Sequence, residues 1–365
     1  MRRIFPFSIA LMVCFITSLS MAQEASSMKV VLITLDGLRW QELFSGADPL
    51  LINHEEYVSD TTALKKRFWR DSPQERRELL FPFLWKEVSK MGQIHGNRHL
   101  GSKVDLTNTK WFSYPGYNEI LSGKADDSRI DSNDKINNPN TTILEIANKD
   151  QRYKGKVAAF GSWDVFPYII NEERSGVPVN AGFELAIGND LTAGEKFLNE
   201  LQPTVPSPWS TVRLDAFTHN YALEHMKKNH PELVYIAYGE TDDFAHEGHY
   251  DAYLKSANTT DSFIKTLWDF TQQDPFYKDH TVFIISTDHG RGAIDLKTWT
   301  GHGSKVKDAG SVWLILFGSG IKADGEVSTN EQLHSNQIAP TIAKILELQK
   351  ISTAMVGKPL PIFKE

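Results

Sequence analysis

The chain has 365 residues, 41% of them hydrophobic and 23% charged, and a formal net charge of −7. That length can bury a large core in a single α/β domain. The acidic balance argues against a nucleic-acid binder, which presents a basic face, but metal ions can reverse the local field for an anionic substrate.

Arg2 and Arg3 precede an almost wholly apolar run over residues 4–19, and the small residues Ser20 and Ala22 stand three and one positions before the Ala22–Gln23 bond. This is the pattern of a secretory signal peptide over residues 1–22, too short and wrongly flanked for a membrane span. Residues 23–365 are then expected as one periplasmic or secreted domain with no transmembrane segment. Cys14, the only cysteine, lies inside the apolar run. The processed chain can form no disulfide and must rest on its core.

Five short β-rich runs follow in order: Val30–Leu35, Lys156–Phe160, Leu233–Tyr238, Val282–Thr287 and Val312–Phe317. Their near-continuous hydrophobicity predicts strands covered on both faces. Helical periodicity marks Ala216–Lys228, Ala252–Gln272 and Asn336–Leu348. The alternation predicts a three-layer αβα sandwich around a mostly parallel sheet. The charged stretch Lys65–Arg77 and the polar stretch Lys124–Asn140 read as surface insertions forming a partial cap.

In open α/β sheets, ligands collect beyond the carboxyl ends of the strands. The first run leads into Asp36, the third into Asp242 with His246 four residues on, and the fourth into Asp288-His289, with His302 following in a Gly-His-Gly turn. Carboxylates and imidazoles are the ligands a zinc-type ion prefers. A single strand-terminal Asp is commonly a turn former; six such groups at neighbouring strand ends indicate a metal site.

These motifs resemble the alkaline phosphatase superfamily, and most closely its type I phosphodiesterase and nucleotide pyrophosphatase branch. The order is Asp36-Gly37, then Ser113-Tyr114-Pro115 with Ser122-Gly123 ten positions later, then Asp242-x-x-x-His246, Asp288-His289-Gly290, Gly301-His302-Gly303 and a final Gln337–Thr341 segment. The resemblance implies two divalent ions, zinc being the ion the ligands suit, with manganese or iron also admitted. One ion would be held by Asp242, His246 and His302, the other by Asp36, Asp288 and His289, with Ser113 bridging as nucleophile. Ser113 would begin a helix whose Pro115 suits a first turn and whose backbone N–H groups face a substrate oxygen. In the diesterase branch an Asn about twenty residues past the nucleophile contacts the phosphoryl group. Asn133, Asn137 and Asn138 are candidates, with Asn118 nearer by, and Gly161–Asp164 is a possible wall.

The implied reaction is hydrolysis of a small-molecule phosphate ester through a phosphoseryl enzyme. A sulfatase shares the fold, but its motif calls for Arg where this chain has Tyr117, and for paired Asp residues where it has Asp36-Gly37. A metal-dependent phosphosugar mutase and a non-catalytic exported binding protein are also compatible with such a fold. The surroundings of Ser113 (Trp111, Phe112, Tyr114, Tyr117) are aromatic and uncharged, which favours a diester over a monoester narrowly. Lys135, Arg39 and Arg291 are the cations that could tip the balance back.

Overall fold

The computed structural model describes residues 27–293, 295–348 and 355–363. The expected signal segment and Cys14 lie outside the described residues. Eleven strands occur in chain order: β1 Lys29–Leu35, β2 Gly92–His95, β3 Lys103–Asp105, β4 Val157–Gly161, β5 Val179–Ala181, β6 Leu233–Tyr238, β7 Thr281–Ser286, β8 Ser311–Val312, β9 Leu314–Gly318, β10 Gly325–Glu326 and β11 Gln332–His334. Eight form one sheet in the order β10-β2-β9-β7-β1-β6-β4-β5, and β11-β3-β8 form a second, smaller one.

The centre of the large sheet is parallel. β1 pairs with β6 from Val30↔Leu233 to Leu35↔Tyr238, and with β7 from Lys29↔Thr281 to Thr34↔Ser286. This register brings the carboxyl ends of all three strands to one edge. Side chains alternate across the pleat. Val31, Ile33 and Leu35 join a core shared with the helices Asp215–Asn229 and Tyr250–Gln273, whereas Val30 and Leu32 join one shared with Ser113–Ser122, Ile143–Lys149 and Ile338–Ile345. The three-layer arrangement follows, as the strand and helix periodicities predict.

Two readings need correction. Val312–Phe317 is not one strand, because the run breaks at Trp313. There β8 leaves for the small sheet, while β9 runs antiparallel between β2 and β7. The Trp313 indole is fully buried and donates to the Leu38 carbonyl at 2.9 Å. The polar stretch 124–140 is also less superficial than its composition suggests. Asn138 and Asn140 are buried, and both donate to the Asn118 side chain, at 3.3 and 3.0 Å. Buried amides need such partners. The stretch Lys65–Arg77 forms two surface helices, Thr61–Phe68 and Pro73–Leu80, with Asp60 and Ser72 as N-caps. Within it, Arg76 folds inward onto the carbonyls of Ser45, Arg70 and Asp71.

Helix Ser113–Ser122 is buried along its whole length and ends at Gly123 in the left-handed conformation. Its approach is fixed by Glu119, whose carboxylate accepts from the backbone of Thr107 and Asn108 and from the Asn108 amide. The helix presses so closely on the end of β7 that a Cβ at Gly116 would lie 2.2 Å from the Asp288 carbonyl oxygen. Gly116→Ala is therefore expected to push the helix off the strand, at about 1–3 kcal/mol as in overpacked cores, with the loss read as a lower urea midpoint.

Candidate metal centre and nucleophile

Asp36 follows β1, Asp288 follows β7, and Asp242 stands in the first turns of helix Glu240–His246 directly after β6. Parallel pairing alone brings these three carboxylates together. Asp36, Asp288, His289 and Ser113 are buried, while the His246 side chain is 46% exposed and marks the open side of the site. His289 Nε2 lies 3.3 Å from Asp36 Oδ1, 3.5 Å from Asp288 Oδ2, 3.7 Å from Asp242 Oδ1 and 3.4 Å from Ser113 Oγ. His246 Nε2 lies 3.1 Å from Asp242 Oδ2 and 3.0 Å from His302 Nε2.

Two groups bring ligand atoms within 4.8 Å of one another: Asp36, Asp288 and His289, and Asp242, His289 and His302. His289 belongs to both, its ring stacked on His302 with centroids 4.0 Å apart. His246 joins the second group through its contacts with Asp242 and His302. The first group matches the set implied by the motifs.

The electrostatics fit a cation. Burial, and then the neighbouring Asp242, hold the Asp36 carboxyl well above the usual carboxylate range; Asp288 is raised in the same way by burial and Asp36. Asp242 goes the opposite way: burial would raise it too, but the Arg291 guanidinium and His246 outweigh that and hold it well below the range. Burial and His289 push the His302 imidazole down to about 2, so it stays neutral and able to coordinate. Asp36 Oδ1 and Asp288 Oδ2 are buried without any hydrogen-bond partner. Orphaned buried carboxylate oxygens are rare in native proteins, and here both face His289 Nε2.

Several supporting residues have no motif of their own. Tyr117, where a sulfatase would carry Arg, donates its hydroxyl to Asp36 Oδ2 at 2.7 Å. Thr241 Oγ1 donates to the Asp36 carbonyl at 2.5 Å. Arg291 is fully buried and spans two segments: Nη2 donates to the carbonyl and Oδ1 of Asp242, and Nη1 to the Thr300 carbonyl at 2.7 Å. It ties the Asp242 turn to the turn that presents His302, instead of pointing at substrate. Arg39 is similarly committed, to Glu42 and the Gly292 carbonyl. Lys135 pairs with Asp164 at 2.7 Å.

Of the candidate asparagines, only Asn133 bonds the residue next to Ser113, its Oδ1 accepting from the Tyr114 N–H at 3.0 Å. That bond uses the backbone donor expected to face substrate. Asn118 is buried in the network with Asn138, Asn140 and the Lys124 carbonyl, and Asn137 bonds Glu173. The one signal for Asn133 in the sequence was its spacing of twenty from Ser113.

Residues 194–350 match the Metalloenzyme superfamily. No curated protein matches the chain in sequence. Solved structures with the same fold include the lipoteichoic acid synthase LtaP from Listeria monocytogenes, at 12% identity and TM-score 0.59 over 92% of this chain and 76% of that one. They also include the alkaline phosphatase PafA, at 12% identity and TM-score 0.56 over 93% and 99%. A 2-O GAG sulfatase aligns at 12% identity and TM-score 0.55 over 92% and 73%. A synthase, a phosphatase and a sulfatase on one fold mean that the reaction must be argued from the site.

Two outcomes are expected of this charge arrangement. In metal-free protein, Arg291→Met removes the nearest counter-charge of Asp242 and should destabilise the protein by about 1–3 kcal/mol, measured by urea unfolding. The second outcome concerns pH. Asp36 and Asp288 have folded-state pKa values above the ordinary value of 3.8. Their contribution to stability is therefore fully present below about 3.8 and lost as pH rises through their folded values. Asp242, shifted down, acts only below that window. Protein stripped of metal should thus lose stability as pH rises above about 4, and Asp36→Asn should flatten the slope.

Proposed function

Taking the chain as a metalloenzyme of the alkaline phosphatase superfamily, we propose that it is an exported hydrolase of phosphoric esters with Ser113 as nucleophile. The observation that carries this reading is the position of Ser113 Oγ, 3.4 Å from the His289 Nε2 that both candidate ligand groups share. A serine at that point stands where a reacting phosphorus must be met.

In this reading Asp36, Asp288 and His289 hold one divalent ion, and Asp242, His246 and His302 hold the other, zinc being the metal such sets suit. Two bound ions supply charge stabilisation for the attacking and leaving oxygens of an in-line displacement. Ser113 Oγ attacks phosphorus and the bond to the leaving alcohol breaks on the opposite side. Water then cleaves the phosphoseryl bond and restores the hydroxyl. Tyr117 and Thr241 orient Asp36 from either side, and Arg291 holds Asp242 against the His302 turn. Asn133, anchored through Oδ1 to Tyr114, keeps Nδ2 without a protein partner among the described residues, as a donor for a phosphoryl oxygen.

Substrate class follows from where the cations go. A monoester carries extra charge and needs a strong donor at its free oxygens. Arg291, Arg39 and Lys135 are all engaged by protein partners. This supports a diester or nucleotide-type substrate over a monoester.

Ser113→Ala is expected to leave fold and metal content intact while reducing turnover to under about a tenth, and a phosphoryl label should be trapped on Ser113 only in wild type. For substrate class, kcat/KM is compared across a diester, a monoester and a sulfate ester sharing one aryl leaving group. A monoester preference above roughly a hundredfold, about 2.7 kcal/mol of transition-state discrimination, would overturn the diester reading. Fastest turnover of the sulfate would move the protein to the sulfatases.

A further inference from the structure

A cavity of about 540 Å³ lies beside the edge strand β5, away from the metal centre, and shares no lining residue with it. It exists because β4 is thin. Ala158 and Ala159 stand opposite Val234 and Tyr235 of β6, and β5, the outermost strand, is only three residues long. Small side chains beside a short edge strand leave space that the helices Ala193–Leu201 and Asp215–Asn229 do not fill. Phe160 and Tyr221 line the cavity, and Leu185 and Ile187 stand at it, 41% and 92% exposed. Exposed apolar side chains clustered at the mouth of an apolar cavity mark a surface that a ligand covers.

Carboxylates dominate this cavity's lining, and the nearest guanidinium, Arg213, is spent behind it on Asn180 and the Glu184 carbonyl. Glu172 and Glu184 both line it, and neither forms an ion pair with a described residue. Each carboxylate accepts one backbone bond, from Val179 at 3.1 Å and from Ala181 at 2.9 Å. A third carboxylate, Glu195, already has Lys228 at 3.6 Å. The lining contains no Lys or Arg. Its one basic side chain, His225, is held below its ordinary value by burial and so brings no charge at neutral pH. Burial and Glu184 hold the Glu172 carboxyl above its usual range, the mark of a carboxylate without a counter-cation.

From this geometry we propose that the cavity between β4–β5 and the helices Ala193–Leu201 and Asp215–Asn229 binds a small organic cation, an ammonium group carried on an apolar body. The ammonium meets Glu172 and Glu184, and the body fills the space over Ala158, beside Phe160 and Tyr221, and covers Leu185 and Ile187. An anion would face two like charges. A neutral molecule of the same shape would gain only the apolar contact. The volume is within the range of small-molecule sites, about 300–1,000 Å³.

The test uses the full chain with its metals and isothermal titration of three probes of one shape: phenethylammonium, 2-phenylethanol and 3-phenylpropionate. Saturable binding of phenethylammonium is expected, at least about tenfold tighter than the alcohol, with no binding of the carboxylate. Glu172→Gln with Glu184→Gln should remove that preference while the alcohol binds as before. Because paired changes at one edge strand could impair folding, Ile187→Arg serves as the second variant. It places a cation at the mouth and should weaken phenethylammonium by a similar factor. Equal affinity for amine and alcohol, no saturable heat with the amine, or undiminished amine binding in both variants would each overturn the proposal.

Discussion

Three carboxylates and one guanidinium share a buried space at the carboxyl edge of β1, β6 and β7, and this imbalance is the constraint around which the site is built. In a medium of low dielectric, unpaired like charges at such distances cost several kcal/mol per ion. Arg291 relieves chiefly Asp242, the carboxylate it touches, and Asp36 to a lesser degree. Asp36 and Asp288 remain shifted towards their neutral forms, each with an oxygen that no protein group satisfies. The fold thus leaves a deficit of positive charge that a divalent cation fits, and the imidazoles beside it complete a carboxylate–imidazole donor set.

The rest of the architecture serves to hold that deficit still. The parallel pairing of β1 with β6 and β7 sets Asp36 level with Asp288, and the helix that follows β6 brings Asp242 beside them. Glu119 and Gly116 then determine how closely the Ser113 helix can lie on the end of β7, one by collecting backbone donors and the other by having no side chain. The Tyr117 hydroxyl, from the same helix, completes the contact with Asp36. Moving any of these would change the separation between Ser113 and His289.

A shared fold does not choose among reactions, and the structures that align with this chain include a synthase, a sulfatase and a phosphatase. What distinguishes this chain is local. Tyr117 occupies the position where a sulfatase motif carries Arg, and Arg291, Arg39 and Lys135 are held by protein partners.

Sequence alone determined the layers and which side chains gather at the strand ends. Continuous β-rich runs can only be strands buried on both faces, and residues at their carboxyl ends converge wherever strands run parallel, so Asp36, Asp242, Asp288 and His289 were legible from pattern. Ser113 was legible from its helix-opening motif. Residues that act through long-range contacts were not. Arg291 read as an exposed cation or a substrate clamp until tertiary packing showed it strapped between Asp242 and Thr300. Asn118 looked well placed by proximity in sequence, yet the folding-back of residues 124–140 buries its amide among Asn138 and Asn140 and leaves Asn133 beside the nucleophile. The physical reason is the same in each case: periodicity and strand ends report local backbone geometry, whereas the partner of a buried polar group is decided by which distant segment reaches it first.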